Sequence, residues 1–197
     1  GELLGAGRRL ADALGEELSA VFLGSGVAAT AAEAFSQGAE RVYVVDDPLL
    51  ATYQPESYTA AMERVCAELS PNVVLLGATY MGRDLAPRLA CRLETGLATD
   101  GVDFAIDPET RNLVVTRAVY GAKAMAEVDC GARRPSLASV KAKSQKPLEV
   151  DSARRGEVVP ITVHLDPTMA RTRVVDRVVV EVEGIKLEDA RIVVGGG

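Results

Sequence analysis

Three short apolar runs, at residues 19–23, 41–45 and 73–76, each lie between stretches of helical spacing, and this alternation leaves few folds open. A strand that is apolar at successive positions is covered on both faces. Strands separated by helices pair parallel through right-handed crossovers. Leu3, Leu4, Leu10, Ala13, Leu14 and Leu18 recur at helical spacing, so the chain opens inside an amphipathic helix. A second helix is expected over 28–37, stopped by Gly38. A third runs over 55–69 with Pro55 in its first turn, where a missing N–H costs nothing. A fourth follows the loop 77–82 and ends near Leu93. The expectation is a Rossmann-like α/β fold: a parallel sheet between two helical layers, three layers in all. A parallel sheet that opens on a helix lacks the strand that should feed it, so a first strand is expected upstream of Gly1.

The texture changes after Thr95. Segments 102–106, 113–120, 124–128 and 137–140 read as short strands with little helical periodicity between them, which adds antiparallel strands to the second half. Residues 107–112 form a turn-rich hairpin connection, and the polar stretch 141–156 an exposed loop. Further strands are expected at 158–165 and 174–182, then a linker at 183–189. The organisation expected is therefore a first domain over 1–182. After it, 183–197 holds a linker and the opening strand of a second domain that lies beyond Gly197. Gly195, Gly196 and Gly197 follow an apolar run, as in the first turn of a nucleotide-binding unit, where glycine lets a phosphate approach the backbone.

Composition narrows the function classes. With 22 basic and 28 acidic residues the chain is formally −6, which disfavours nucleic acid as a partner. No apolar run reaches the 18 residues that suggest a membrane span. Cys66, Cys91 and Cys130 are far apart and without CxxC spacing, so they read as reduced, buried thiols. His164 is the single histidine and falls in a strand pattern. No serine occupies a G-x-S-x-G elbow, and Asp46-Asp47 alone does not make a metal site. Side chains for nucleophilic catalysis are lacking.

Two glycine turns remain. Gly24-Ser25-Gly26-Val27-Ala28-Ala29 fits G-x-G-x-x-A between a strand and a helix, with Asp46 at the end of the next strand. Gly24 and Gly26 would receive a pyrophosphate, and Asp46 a ribose hydroxyl. Any parallel sheet also needs a tight turn here, and with a strand upstream this unit would be the second in the sheet rather than the first. The other turn, Gly77-Ala78-Thr79-Tyr80-Met81-Gly82, leads into Arg83 and Asp84, opposite charges at a strand's carboxyl end, where open α/β sheets bind ligands and partners. Thr79 is placed to cap the helix.

The run 71–90, the segment 93–100, the stretch Arg117-Ala118-Val119-Tyr120-Gly121-Ala122-Lys123-Ala124 and the terminal 190–197 together resemble the large (alpha) subunit of electron transfer flavoprotein. The resemblance implies an adenine nucleotide alpha hydrolase-like α/β domain that pairs with the small (beta) subunit. It implies an FAD-binding domain opening at the terminal glycines, and AMP or a second FAD held mainly on the beta subunit. It also implies electron shuttling between dehydrogenases and a quinone-linked or ferredoxin-linked acceptor, in the cytoplasm or the mitochondrial matrix. Arg83, Asp84, Arg117 and Tyr120 are the expected partner face. The alternative is a free-standing nucleotide-binding domain that uses Gly24, Gly26 and Asp46 for NAD or AMP.

Overall fold

The computed structural model describes residues 1–172, 174–176, 178 and 190–194. The first half alternates as the pattern requires: α1 (Glu2–Leu14), β1 (Ser19–Gly24), α2 (Ala31–Ser36), β2 (Arg41–Asp46), α3 (Pro55–Leu69), β3 (Val73–Gly77) and α4 (Tyr80–Arg92). Strands follow: β4 (Leu97–Ile106), β5 (Leu113–Val119), β6 (Ala124–Asp129), β7 (Ser136–Val140) and β8 (Glu157–Pro160).

These strands form two sheets. One is parallel throughout, in the order β1-β2-β8; the other runs β3-β7-β4-β5-β6, parallel across its first three strands and antiparallel across the rest. The α/β expectation and its antiparallel addition hold, but the single sheet is divided between β1 and β3. No hydrogen-bonded ladder joins those two strands among the described residues.

Helices span the division on both faces. Val21 and Leu23 of β1 pack into the same cluster as Val74 and Leu76 of β3, under Val65 of α3 and Leu85 and Leu89 of α4. On the opposite face α1 sets Leu4 against Ala20 and Phe22 of β1, and Ala6 and Leu10 against Val73 and Leu75 of β3. Helix α1 ends at Gly15, whose φ of 71° is the left-handed conformation that closes a helix. Its last carbonyls are also held from a distance. Arg111, in the β4–β5 hairpin, donates from Nη1 to Ala13 O (3.0 Å) and from Nη2 to Leu14 O (2.6 Å). A guanidinium at a helix C-terminus also answers the dipole's negative end.

Several expectations need adjustment. The helix expected over 28–37 begins as a 3₁₀ turn (Val27–Thr30) and only then becomes α2. β4 starts at Leu97, earlier than expected, because 97–101 pairs with β7. The strand expected over 158–165 stops at Pro160, opposite Val44 and two residues short of the end of β2 at Asp46, although the Ile161 amide still donates to Val44 O at 2.9 Å. His164 is exposed. The loop 141–156 is exposed for the most part but is stitched down by buried Gln145, which donates to Val102 O (2.6 Å) and accepts from Arg9 Nη2 (2.6 Å). The cysteines are free, yet only Cys66 is buried, its thiol pushed up to about 11 by burial; Cys91 is exposed and Cys130 half-buried. Most of the strand expected at 174–182, the linker 183–189, and Gly195, Gly196 and Gly197 lie outside the described residues.

β7 is buried at every position, and Leu137 at its centre is fully enclosed between β3 and β4. Leu137→Ala is expected to cost about 2–5 kcal/mol in urea denaturation. Leu3→Ala, on the exposed side of α1, should stay within about 0.5 kcal/mol.

Candidate functional site

The turn after β3 and the middle of β4 meet at the carboxyl ends of β3 and β7. Thr79 accepts the Gly82 amide at 3.2 Å and so caps α4, as its place in the sequence indicates. Position 82 requires glycine, because a Cβ there would press into the carbonyl oxygen of Gly77. The helix therefore starts flush against the strand it follows, and Arg83 is brought back over the strand end. Its Nε donates to Ala78 O (3.1 Å) and its Nη2 to Asp100 Oδ1 (2.7 Å).

Asp100 sits where β4 loses register with both neighbours, between Ala98 and Gly101 on the β7 side and between Gly101 and Asp103 on the β5 side. Its φ is +55°, a left-handed conformation that a short acidic side chain tolerates better than most. Its amide donates to the buried Ser139 hydroxyl of β7 (2.9 Å). Beside it, Thr99 Oγ1 accepts from Arg117 Nη1 (2.9 Å), while Arg117 Nε is shielded and has no hydrogen-bond partner. Such bulges commonly re-aim side chains at functional sites. Here the bulge gathers two arginines over one strand end.

The four residues expected to form a partner face thus divide. Arg83 and Arg117 meet through Asp100 and Thr99. Asp84 turns away: its Oδ2 accepts from the Tyr53 hydroxyl (2.8 Å) and its Oδ1 from Arg88 Nε (3.0 Å). The Tyr53 hydrogen bond, then that of Arg88, holds the Asp84 carboxyl below the usual carboxylate range. Burial, and after it the neighbouring carboxylate, raises the Tyr53 phenol. Tyr120 is exposed in the β5–β6 turn. Sequence reasoning missed Thr99, Asp100 and Ser139, since a bulge inside a strand leaves no periodicity signal. It also missed Tyr80 and Met81, which stand exposed in the first turn of α4 just before Arg83.

The other glycine turn closes on itself. Gly26, at φ 71°, donates its amide to Asp46 Oδ1 at 2.9 Å. A carboxylate thus occupies the donor that a pyrophosphate would need, and it would repel the phosphate. The helix beyond is a 3₁₀ turn followed by six residues of α2. Gly24, Gly26 and Asp46 thus stand together in one hydrogen-bonded turn. Among the described residues there is no group of three metal-ligating side chains, and no helix is long and apolar enough to cross a membrane.

Comparison with known proteins places this geometry in a family. The sequence model described as "Electron transfer flavoprotein domain" matches residues 1–166. The chain belongs to the electron transfer flavoprotein family. Its whole length is 39% identical to the electron transfer flavoprotein subunit alpha of Megasphaera elsdenii and 34% identical to that of Bacillus subtilis, covering 58% of each. Over 143 residues, 71% of the chain, it is 45% identical to Protein FixB of Azorhizobium caulinodans, 38% of which is covered. The chain thus spans about three-fifths of the length of the curated alpha subunits it matches.

Tyr53→Phe tests the Asp84 pocket. A carboxyl that titrates lower folded than unfolded stabilises the fold above its unfolded value of about 4, and that stability is lost as pH falls through the folded value. A phenol raised in the fold stabilises below about pH 10, and loses that contribution as pH rises further. The variant should be about 1 kcal/mol less stable at pH 7, with flatter acid and alkaline limbs in urea midpoints taken against pH.

Proposed function

We propose that this chain is the base domain of an electron transfer flavoprotein alpha subunit. In this reading it pairs with a beta subunit and carries, on the segment opening at Gly195, Gly196 and Gly197, a mobile FAD-binding domain. That assembly shuttles electrons between dehydrogenases and a quinone-linked or ferredoxin-linked acceptor. The supporting observation is the likeness along the entire chain to proteins named as alpha subunits, rather than to one motif. AMP or a second FAD would belong to the beta subunit, consistent with a first glycine turn whose amide is already taken by Asp46.

Bound FAD would supply the one- and two-electron chemistry. This domain's own residues bind and orient. The face that suits a partner is the start of α4 with the β4 bulge: exposed Tyr80 and Met81, and beside them the Arg83–Asp100 pair and Arg117. Aromatic, methionine and arginine side chains are enriched where proteins dock, and a carboxylate-paired arginine presents a defined fork rather than a loose charge. Tyr120, on its own turn, extends the candidate face toward the β5–β6 hairpin.

Co-expression with a beta subunit should give a heterodimer that survives gel filtration, and a monomer that ignores its partner would refute the pairing. Arg83→Glu should weaken pairing roughly tenfold while leaving the urea midpoint nearly unchanged. A separate readout concerns the flavin. Residues 1–197 titrated with FAD should show no saturable change in flavin fluorescence at about 10 μM, whereas the full-length alpha subunit with its beta partner should purify yellow. Saturable binding by 1–197 would place flavin contacts inside the base.

A further inference from the structure

The two sheets have β8 and β6 at their outer ends, and these edges are finished differently. On β8 the register sets Val42 opposite Val158 and Val44 opposite Pro160, and Val44 O accepts from Ile161 N (2.9 Å). Glu157 and Val159 therefore bond to β2, while Val158 and Pro160 turn their backbone groups outward. Pro160 has no amide to offer and β8 is only four residues long, so that edge is blunted against further pairing. On β6, Cys130 N donates to Leu113 O (2.9 Å), which fixes the phase of the antiparallel ladder. Ala124, Ala126 and Val128 bond to β5, whereas Met125, Glu127 and Asp129 turn their amides and carbonyls away from the sheet. No proline interrupts this strand.

The same three residues share a face. Val115 and Val128 are paired and pack in one cluster with Ala6 and Leu10 of α1. By strand alternation, Met125, Glu127 and Asp129 project from the opposite face. All three are exposed, and Val114, Thr116 and Ala118 beside them on β5 are half-buried. Where this edge begins, the turn holds Tyr120, Gly121 and Ala122 in succession at φ 52°, 65° and 65°. That left-handed conformation strains a tyrosine and an alanine, and Tyr120 stands 84% exposed there. An unpaired strand edge, two carboxylates and an aromatic side chain thus lie along one hairpin.

We propose that β6 receives an extended segment of the beta subunit as an added strand, with basic side chains opposite Glu127 and Asp129 and an apolar one beside Met125. The inference rests on the pairing reading above and names one place and one mode of that contact. Charge selects the occupant. Side chains directly opposite on neighbouring strands stand about 5 Å apart, so a lysine or arginine facing these carboxylates is attracted and an acid is repelled. A second copy of this chain is disfavoured by the same rule, since its β6 would bring the same carboxylates to the junction. Main-chain bonds to Met125, Glu127 and Asp129 would supply affinity, and the alternating side chains specificity. Tyr120 would anchor the segment where it reaches the turn.

The test is residue-resolved amide hydrogen exchange on the full-length alpha subunit, alone and in complex with the beta subunit. The Met125, Glu127 and Asp129 amides should exchange on the order of 100-fold more slowly in the complex, while the already bonded Ala126 and Val128 change far less. Glu127→Pro removes only an outward amide, and Glu127→Lys with Asp129→Lys inverts the edge charge; each should weaken pairing roughly tenfold. A heterodimer in which the three amides stay as fast as in the free subunit overturns the added strand and leaves the pairing reading standing. Absence of any heterodimer overturns both. If the two lysines cause self-association and leave pairing unchanged, the acids only guard the edge, and the proposal fails. Should the alpha subunit not fold alone, exchange is compared within the complex. Protection of Met125 and Asp129 that drops in Glu127→Pro supports the strand, and protection that is absent or unaffected refutes it.

Discussion

A parallel strand is buried on both faces, so β1 and β3 depend on helices above and below them. That dependence holds the two sheets together where no ladder does. The cluster containing Val21, Leu23, Val74 and Leu76 under Val65, Leu85 and Leu89 crosses the division on one side, and α1 crosses it on the other. Arg111 fastens the end of α1 to the antiparallel extension, and Gln145 fastens the loop after β7 to β4 and α1. Distant parts of the chain thus bear on α1.

What the residues disclosed in advance tracks how local the cause is. Helix α3 was legible to the residue, because Pro55 fixes its start and its apolar spacing is uninterrupted. The β5–β6 hairpin and the turn at Asp107 were legible too; Asp107 Oδ1 accepts from the amides of Glu109 and Thr110, a purely local arrangement. The place of β7 was not. Its run of apolar and serine residues fits any strand, and its insertion between β3 and β4 is decided by pairing across more than 30 residues in one direction and 60 in the other.

The candidate site shows the same gradient. Thr79 could be read as a cap from its place before the helix, whereas the close approach of Gly82 to the Gly77 carbonyl emerges only in the fold. Arg83 and Arg117 could be singled out, but not their meeting, since it passes through Asp100 in a left-handed conformation and a register slip that no pattern announces. Asp84, adjacent in sequence to Arg83, lies on another face of α4 and serves Tyr53 and Arg88 instead. Neighbours on a helix diverge by about 100°, so an Arg-Asp pair in sequence is seldom a pair in space.

The two glycine turns differ in what closes them. Both follow a strand at the carboxyl edge, one in each sheet, and that is the edge where open α/β sheets bind ligands and partners. The turn at Gly24 is closed by Asp46, whose Oδ1 accepts from the Gly26 amide. The turn at Gly77 is held by Thr79 and by the backbone, and it leaves Tyr80, Met81 and the Arg83–Asp100 pair facing outward. An acid one strand away closes the first turn at its backbone amide, whereas at the second the acid, Asp100, pairs with the Arg83 side chain and leaves the turn's backbone to Thr79.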